Sequence, residues 1–165
     1  MTFETERCIV KPMSRKDKKD LHRLCDDENV WTYLGGQKTA SNNKKKIKFI
    51  GFIPVIPVKN RWAVRRKTDN AFLGEICLAP HHDGDMEVSY LFISEHRGNG
   101  YACEAVEAFV HHVFSSKKLN RLVAETQSAN LASCKMLEKL GFHKVKTLMR
   151  FDAEQALYAI DNRVV

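Results

Sequence analysis

The segment Arg97-Gly98-Asn99-Gly100-Tyr101-Ala102 constrains this chain more than any other. An apolar run from Val88 to Ile93 leads into it and reads as a buried strand. Behind it Ala102, Ala105, Val106, Phe109, Val110 and Val113 recur at helical spacing, with Glu104 and Glu107 on the other side. The six residues therefore make a strand-to-helix turn whose two glycines let main-chain N–H groups approach a ligand. A helix N-terminus carries about half a positive charge, so the guest it suits is a phosphate. Two other phosphate loops do not fit. Glu104 and Ala105 sit poorly where a dinucleotide fingerprint needs its third glycine or alanine, and the Gly-Lys-Ser/Thr of a P-loop is absent. The same glycines also suit a purely structural tight turn.

A length of 165 residues predicts one domain over 1–165, large enough to bury about two-thirds of its unfolded surface. No apolar run approaches the roughly 20 residues that span a bilayer, and the acidic start Met1-Thr2-Phe3-Glu4-Thr5-Glu6 is unlike a signal peptide. Cys8, Cys25, Cys77, Cys103 and Cys134 form no CxxC pair and read as reduced, mostly buried side chains. A cytoplasmic protein without a membrane partner is the expectation.

The net charge of +7 is unevenly spread: residues 1–70 carry +9 and residues 71–165 carry −2. The basic runs are Arg15-Lys16-Asp17-Lys18-Lys19, Lys44-Lys45-Lys46-Ile47-Lys48 and Arg65-Arg66-Lys67. Solvated helix faces and a hairpin tip account for them. The sharper alternative is attraction to an acidic partner such as RNA, a ribosome or an acidic peptide.

Along the chain, Arg7–Lys11 reads as a strand closed by Pro12, and Ser14 as the N-cap of a helix with Leu21 and Leu24 inward. A short helix around Asn29–Leu34 stops at Gly35-Gly36, and Ser41 caps a basic helix with Ile47 and Ile50 inward. Phe52–Val58, interrupted by Pro54 and Pro57, reads as a loop or edge. Trp62–Arg65 and Phe72–Leu78 form a hairpin around Thr68-Asp69-Asn70, and Glu87–Ile93 pairs next. The loop His81-His82-Asp83-Gly84-Asp85 has metal-ligand residue types, but near-adjacent ligands on a turn read as a polar loop, and no metal is expected. After the long helix come a strand over Arg121–Thr126 and a helix opened by Asn130 and ended by Gly141. His143–Phe151 and Gln155–Asp161 complete a mixed α/β fold.

These residues resemble the GNAT superfamily of N-acetyltransferases, whose acyl-CoA signature Arg/Gln-x-x-Gly-x-Gly/Ala is matched by Arg97, Gly100 and Ala102. More specifically the chain is similar to the ribosomal-protein-alanine N-acetyltransferase (RimJ/RimL-like) branch. The supporting segments are Thr5-Glu6-Arg7 with Lys11-Pro12, Tyr33-Leu34-Gly35-Gly36, Leu73-Gly74-Glu75-Ile76, and Asn130-x-x-Ser133 followed by Leu137-Glu138-Lys139-Leu140-Gly141-Phe142. The resemblance implies a six- to seven-stranded, mostly antiparallel sheet, splayed at its central strands and flanked by about four helices. It implies acetyl-CoA as co-substrate and transfer of the acetyl group to a primary amine: a protein N-terminus, an amino acid or peptide, or a small amine. Homodimers are common among such relatives.

The resemblance also assigns roles. Main-chain groups of Tyr90, Leu91 and Phe92 would meet the pantetheine arm. The turn Arg97, Gly98, Asn99, Gly100, Tyr101 and Ala102 would hold the pyrophosphate. Asn130 would contact the arm or order a water beside it. The attacking amine must lose a proton, and Glu125 and Glu87 compete as the base, with Glu125 placed first. Many relatives carry a Tyr seven residues after the Asn to serve the leaving sulfur; here that position is Leu137, and Ser133 is the substitute the resemblance offers. Trp31 and Tyr33 would line the acceptor side. The alternative is a non-catalytic CoA-binding protein, or a basic ribosome- or RNA-associated module, on the same fold.

Overall fold

The computed structural model describes residues 2–34, 60–117 and 119–162. Among these residues eight strands form one sheet: β1 Phe3–Glu4, β2 Cys8–Pro12, β3 Arg61–Arg66, β4 Phe72–Pro80, β5 Met86–Phe92, β6 Arg121–Gln127, β7 His143–Arg150 and β8 Ala153–Asp161. Their order across the sheet is β1-β2-β3-β4-β5-β6-β8-β7. Sequence reading finds seven of them. The eighth, β1, is two residues long and pairs through Phe3↔Val10 and Glu4↔Ile9, too short to show any alternation.

Three α-helices lie among the described residues: α1 Lys18–Asp26, α2 Tyr101–Lys117 and α3 Leu131–Lys139. Ser14 does cap, but what it caps is a 3-10 turn over Arg15–Asp17 that precedes α1. Its Oγ accepts from Lys16 N–H while the Asp17 carboxylate accepts from Ser14 N–H at 2.8 Å. The short helix expected at Asn29–Leu34 is a 3-10 turn over Glu28–Trp31, opened by the Asp27 side chain. Gly35-Gly36, the basic helix after Ser41 and the segment Phe52–Val58 lie outside the described residues. At the end of α3, Phe142 N–H bonds Leu137 C=O and Gly141 N–H bonds Glu138 C=O, with Gly141 at φ +88. These two bonds close the helix in the Schellman manner.

Helices α2 and α3 bury one face of the sheet. Ala105, Val106, Phe109, Val110 and Val113 of α2, with Cys134 and Leu137 of α3, pack on Val64, Leu73, Ile76, Val88, Leu122 and Tyr158. Phe109 is fully buried and meets the Trp62 ring edge-on at 4.9 Å; such burial contributes roughly 2–3 kcal/mol. The opposite face holds Leu21, Leu24 and Cys25 of α1 with Val30, Trp31, Ala63, Phe72 and Ile93. All five cysteines are free. No helix among the described residues is long and apolar enough to cross a membrane.

One junction breaks the regular ladder. Every neighbouring pair is antiparallel except β5 and β6, which run parallel and touch only at Met86↔Leu122 and Glu87↔Val123. Past Glu87 the two strands diverge, because β5 stays registered to β4 through Gly74↔Phe92 while β6 stays registered to β8 through Gln127↔Gln155. The central strands are therefore splayed, and among the described residues no strand lies against the main chain from Val88 to Phe92 on its β6 side.

Candidate active site

A cleft of about 600 Å³ opens where β5 and β6 part. Its floor is β5 from Glu87 to Phe92, its far wall is β6 from Ala124 to Gln127, and the starts of α2 and α3 close its two sides. A 3-10 turn over Ser94–His96 joins β5 to the glycine turn. Gly98 and Gly100 take φ of +78 and +79, values that an L side chain adopts only at a cost. Among the described residues, the N–H groups from Gly98 to Cys103 donate to no protein acceptor; the first helical bond is Glu104 N–H to Gly100 C=O. Six consecutive donors thus lie free at the positive end of a 17-residue helix. Such an arrangement suits a phosphate group.

Two arginines brace this turn from opposite sides. Arg97 folds its guanidinium back onto Phe92 C=O at 3.1 and 3.2 Å and onto Asn29 C=O at 3.3 Å, so its side chain shapes the turn. Arg7 donates to Asn99 C=O at 2.9 Å and to the Glu104 carboxylate at 2.7 Å, and lies over the Tyr101 ring at 4.8 Å. Burial works against the Glu104 charge, yet hydrogen bonds from Thr5 and Arg7 hold its carboxyl below the usual range. Without that pairing the carboxylate in the first turn of α2 would repel an incoming phosphate. This explains the Thr5 and Arg7 of the N-terminal segment.

The other end of the cleft is charged. Glu125 Oε2 accepts from Arg150 Nη1 at 3.0 Å and faces His81 Nε2 at 3.1 Å. His81 Nδ1 accepts from the Asp83 N–H at 3.3 Å, which leaves the ring proton on Nε2, donating to Glu125. His81, His82 and Glu125 offer ligand atoms within 4.8 Å of one another. However, Arg150 Nη1 is also 3.0 Å from His82 Nδ1, so the guanidinium already fills the place a cation would take. Glu87 lies beside this bridge, with no hydrogen bond to another side chain among the described residues and with the Glu125 main-chain N–H near enough to favour its charged form. Burial pushes its carboxyl above the usual range; the His81 and Arg150 side chains pull it back, and the Glu125 charge adds to the rise.

A family model of the acetyltransferase (GNAT) domain matches residues 7–143. The chain belongs to the GNAT acetyltransferase family. Among its relatives is YkkB of Bacillus subtilis (strain 168), 28% identical over 158 residues, which cover 93% of this chain and 92% of that one. Two solved structures share the fold at a TM-score of 0.74. One is a spermidine N-acetyltransferase from Vibrio cholerae in complex with CoA and spermine, 16% identical over 93% of this chain and 95% of that one. The other is RimL, a ribosomal L7/L12 alpha-N-protein acetyltransferase in complex with coenzyme A, 14% identical over 98% of each chain. Like other GNAT enzymes, the acetyltransferase uses acetyl-CoA.

Most of the residues singled out from the sequence meet in this cleft of the acetyltransferase. Glu87, Tyr90, Leu91, Phe92, Arg97, Gly98, Gly100, Tyr101, Ala102, Glu125, Asn130, Ser133 and Tyr33 all line it. Trp31 does not. It is buried at 4% exposure, donates from Nε1 to Cys25 C=O at 2.8 Å, and belongs to the core under α1 rather than to an acceptor wall. The 3-10 geometry over Glu28–Trp31 sends Trp31 inward and leaves Asn29, Val30, Tyr33 and Leu34 on the cleft. The Asn99 side chain also turns away, donating to His96 C=O and Arg97 C=O. Asn130 caps α3, its Oδ1 accepting from Ser133 N–H at 3.3 Å. Sequence reading missed Arg150 of β7, Phe151 of the β7–β8 turn, Gln127 of β6 and Gln155 of β8, which carry no motif.

Proposed function

We propose that this protein binds acetyl-CoA in the β5–β6 cleft and transfers the acetyl group to a primary amine, with Glu87 as the base. The observation carrying this reading is the splay itself. It leaves the main chain of Val88–Phe92 without a β6 partner beside a turn with six free N–H groups. The residues fit the coenzyme: the turn from Gly98 to Ala102 suits its pyrophosphate, and the free edge at Tyr90, Leu91 and Phe92 suits the amides of its pantetheine arm. Bound there, acetyl-CoA supplies an activated thioester. Glu87 takes a proton from the incoming ammonium so that the neutral nitrogen can attack, and an N–H of the splayed strand donates to the oxygen that gains charge.

The geometry favours Glu87 over Glu125. One oxygen of Glu125 is committed to Arg150 and His81, whereas the raised carboxyl of Glu87 is better matched to accepting a proton near neutral pH. The same bridge bears on the acceptor. With the Glu125 charge neutralised by Arg150, the cleft has little surplus negative charge for a polyamine, which favours the single amine of a protein N-terminus, peptide or amino acid. This supports a reading near the RimJ/RimL-like branch. The ribosome- or RNA-associated reading draws less support, because six cations of the basic half, Arg7, Arg23, Arg61, Arg65, Arg66 and Lys67, are paired with carboxylates.

Calorimetry with acetyl-CoA tests the site, with a dissociation constant at or below the micromolar range expected and one above about a millimolar excluding it. A panel of peptides, amino acids and polyamines read out by thiol release tests the acceptor class. Polyamine turnover exceeding peptide turnover would reverse the acceptor assignment. Gly100→Ala probes the turn alone: φ +79 costs an L residue roughly 1–2 kcal/mol, and its Cβ would lie 3.3 Å from Arg7 Nη2. An approximately tenfold weaker acetyl-CoA affinity is expected, with a fall in Tm of roughly 2–8 °C.

A further inference from the structure

Gln127 ends β6 on the cleft, more than nine-tenths buried, and its Nε2 donates to nothing among the described residues. A buried amide donor left unmade costs the fold free energy, so it calls for an acceptor supplied from outside. Glu125 and Gln127, two apart on β6, share the sheet face opposite to the one that Ala124 presents to α2. Arg150 reaches this face from β7. Its hydrogen bonds to Glu125 Oε2 and His82 Nδ1 both use Nη1, so Nε and Nη2 form a fork with no protein acceptor among the described residues. Such a planar fork matches the two oxygens of a carboxylate. We propose that Arg150 and Gln127 together receive a carboxylate carried by the acceptor, so that the substrates are amino acids or peptides with a carboxylate a few bonds from the reacting amine. This rests on the acetyl-CoA reading above and deepens it by naming the acceptor class.

The β7–β8 turn holds the guanidinium in place. Arg150↔Ala153 closes a two-residue turn in which Phe151 and Asp152 take φ of +55 and +58. That region favours glycine, and a bulky residue enters it at a cost that an Asn-Gly turn would not carry. Phe151 lies about half exposed on the cleft, its ring centre 4.8 Å from Arg150 Cζ. Gln155, opposite Gln127 in the β6–β8 ladder, donates to Arg150 C=O at 3.0 Å and to Ala153 C=O at 3.3 Å, tying the turn to its stem. The strained turn thus keeps an aromatic ring against a cation at the mouth of the cleft. The charges suit a zwitterion. Glu125 and Arg150 offset one another, and the Arg150 charge also bears on the Glu87 carboxyl. An acceptor whose carboxylate sits on Arg150 therefore brings its ammonium toward Glu87, and adds no net charge to the cleft.

The test compares matched acceptors that differ only in the carboxylate, with thiol release as the readout. One pair is an α-amino acid and its α-amide; the other is a peptide with N-terminal aspartate and the same peptide with N-terminal asparagine. In at least one pair kcat/KM is expected to be about a hundredfold higher for the acid. A preference in the first pair assigns the α-carboxylate, and one in the second the side-chain carboxylate. The amino amide has the less basic amine, so deprotonation alone would favour the amide over the acid. Arg150→Lys keeps the charge but loses the fork, and should cut the acid-over-amide ratio about tenfold. Gln127→Met removes the amide at similar volume and should cut the ratio about fivefold, with Tm unchanged or higher because no hydrogen bond within the protein is lost. Equal turnover of acid and amide in both pairs, or no turnover of either acid, overturns the carboxylate site, while acetyl-CoA binding in calorimetry leaves the coenzyme reading standing. A ratio unchanged in both variants overturns it as well. Absence of acetyl-CoA binding overturns the coenzyme reading itself. Should Arg150→Lys not fold, Gln127→Met carries the same comparison.

Discussion

Replacing Glu87 by glutamine is expected to lower kcat about a hundredfold or more at neutral pH while acetyl-CoA affinity holds. The amide keeps the size and the main-chain neighbours of the carboxylate but cannot accept the amine proton. Glu125→Gln should cost less, about tenfold, because its carboxylate acts through Arg150 and His81. The pH dependence separates the two. Glu87 works as a base in its ionised form, so kcat/KM of the unaltered protein should rise with pH through the raised Glu87 titration, and Glu87→Gln should lose that limb. Stability should move the other way. A carboxyl raised in the folded state is protonated in both states at low pH and costs nothing there. Once the unfolded chain ionises it, burial penalises the folded form as pH rises through the folded-state value. Glu87→Gln should therefore melt at the same temperature or higher near neutral pH, with the difference vanishing in acid. A hundredfold loss in Glu125→Gln with little change in Glu87→Gln would hand the base role to Glu125.

The largest effect on stability is expected at Gly74. A Cβ built there would lie 2.2 Å from Leu91 C=O and 2.8 Å from the Phe92 Cα, both backbone atoms that no rotamer change can move. The β4–β5 ladder must open locally to admit even alanine. Gly74→Ala should destabilise the fold by about 3 kcal/mol, at the upper end for overpacking. For a chain of this size that is a fall of roughly 6–12 °C in Tm. Because the displaced strand includes Leu91 and Phe92, acetyl-CoA affinity should weaken in the fraction that remains folded. Thermal denaturation followed by calorimetry checks both, and a Tm unchanged to within a couple of degrees would falsify the steric account.

Gly74 also illustrates how far the sequence can be read. Its motif, Leu73-Gly74-Glu75-Ile76, stands out as a family match, but a glycine inside a strand does not say which chain approaches it. Only the pairing Gly74↔Phe92 shows that the missing side chain makes room for β5. Trp31 is the opposite case. The resemblance set it beside Tyr33 on the acceptor wall, whereas the 3-10 turn over Glu28–Trp31 sends Trp31 into the core and leaves Tyr33 on the cleft.

What the sequence determined by itself is local: the two glycines that permit positive φ before α2, the apolar spacing that buries α2, Asn130 and Gly141 at the ends of α3, and the hairpin turn at Asn70. Each depends on dihedral preferences or periodicity within a few residues, and these are written directly in the chain. What the tertiary structure decided is the chemistry at the cleft. The opening between β5 and β6 exists because each strand is held in register by a different neighbour. Glu125 meets His81 44 positions away, and Tyr90 meets Ser133 43 positions away, only because the sheet order brings them together. Such long-range pairs have no period and no spacing to betray them, since the distance between two side chains across a sheet is set by strand order and register rather than by separation along the chain.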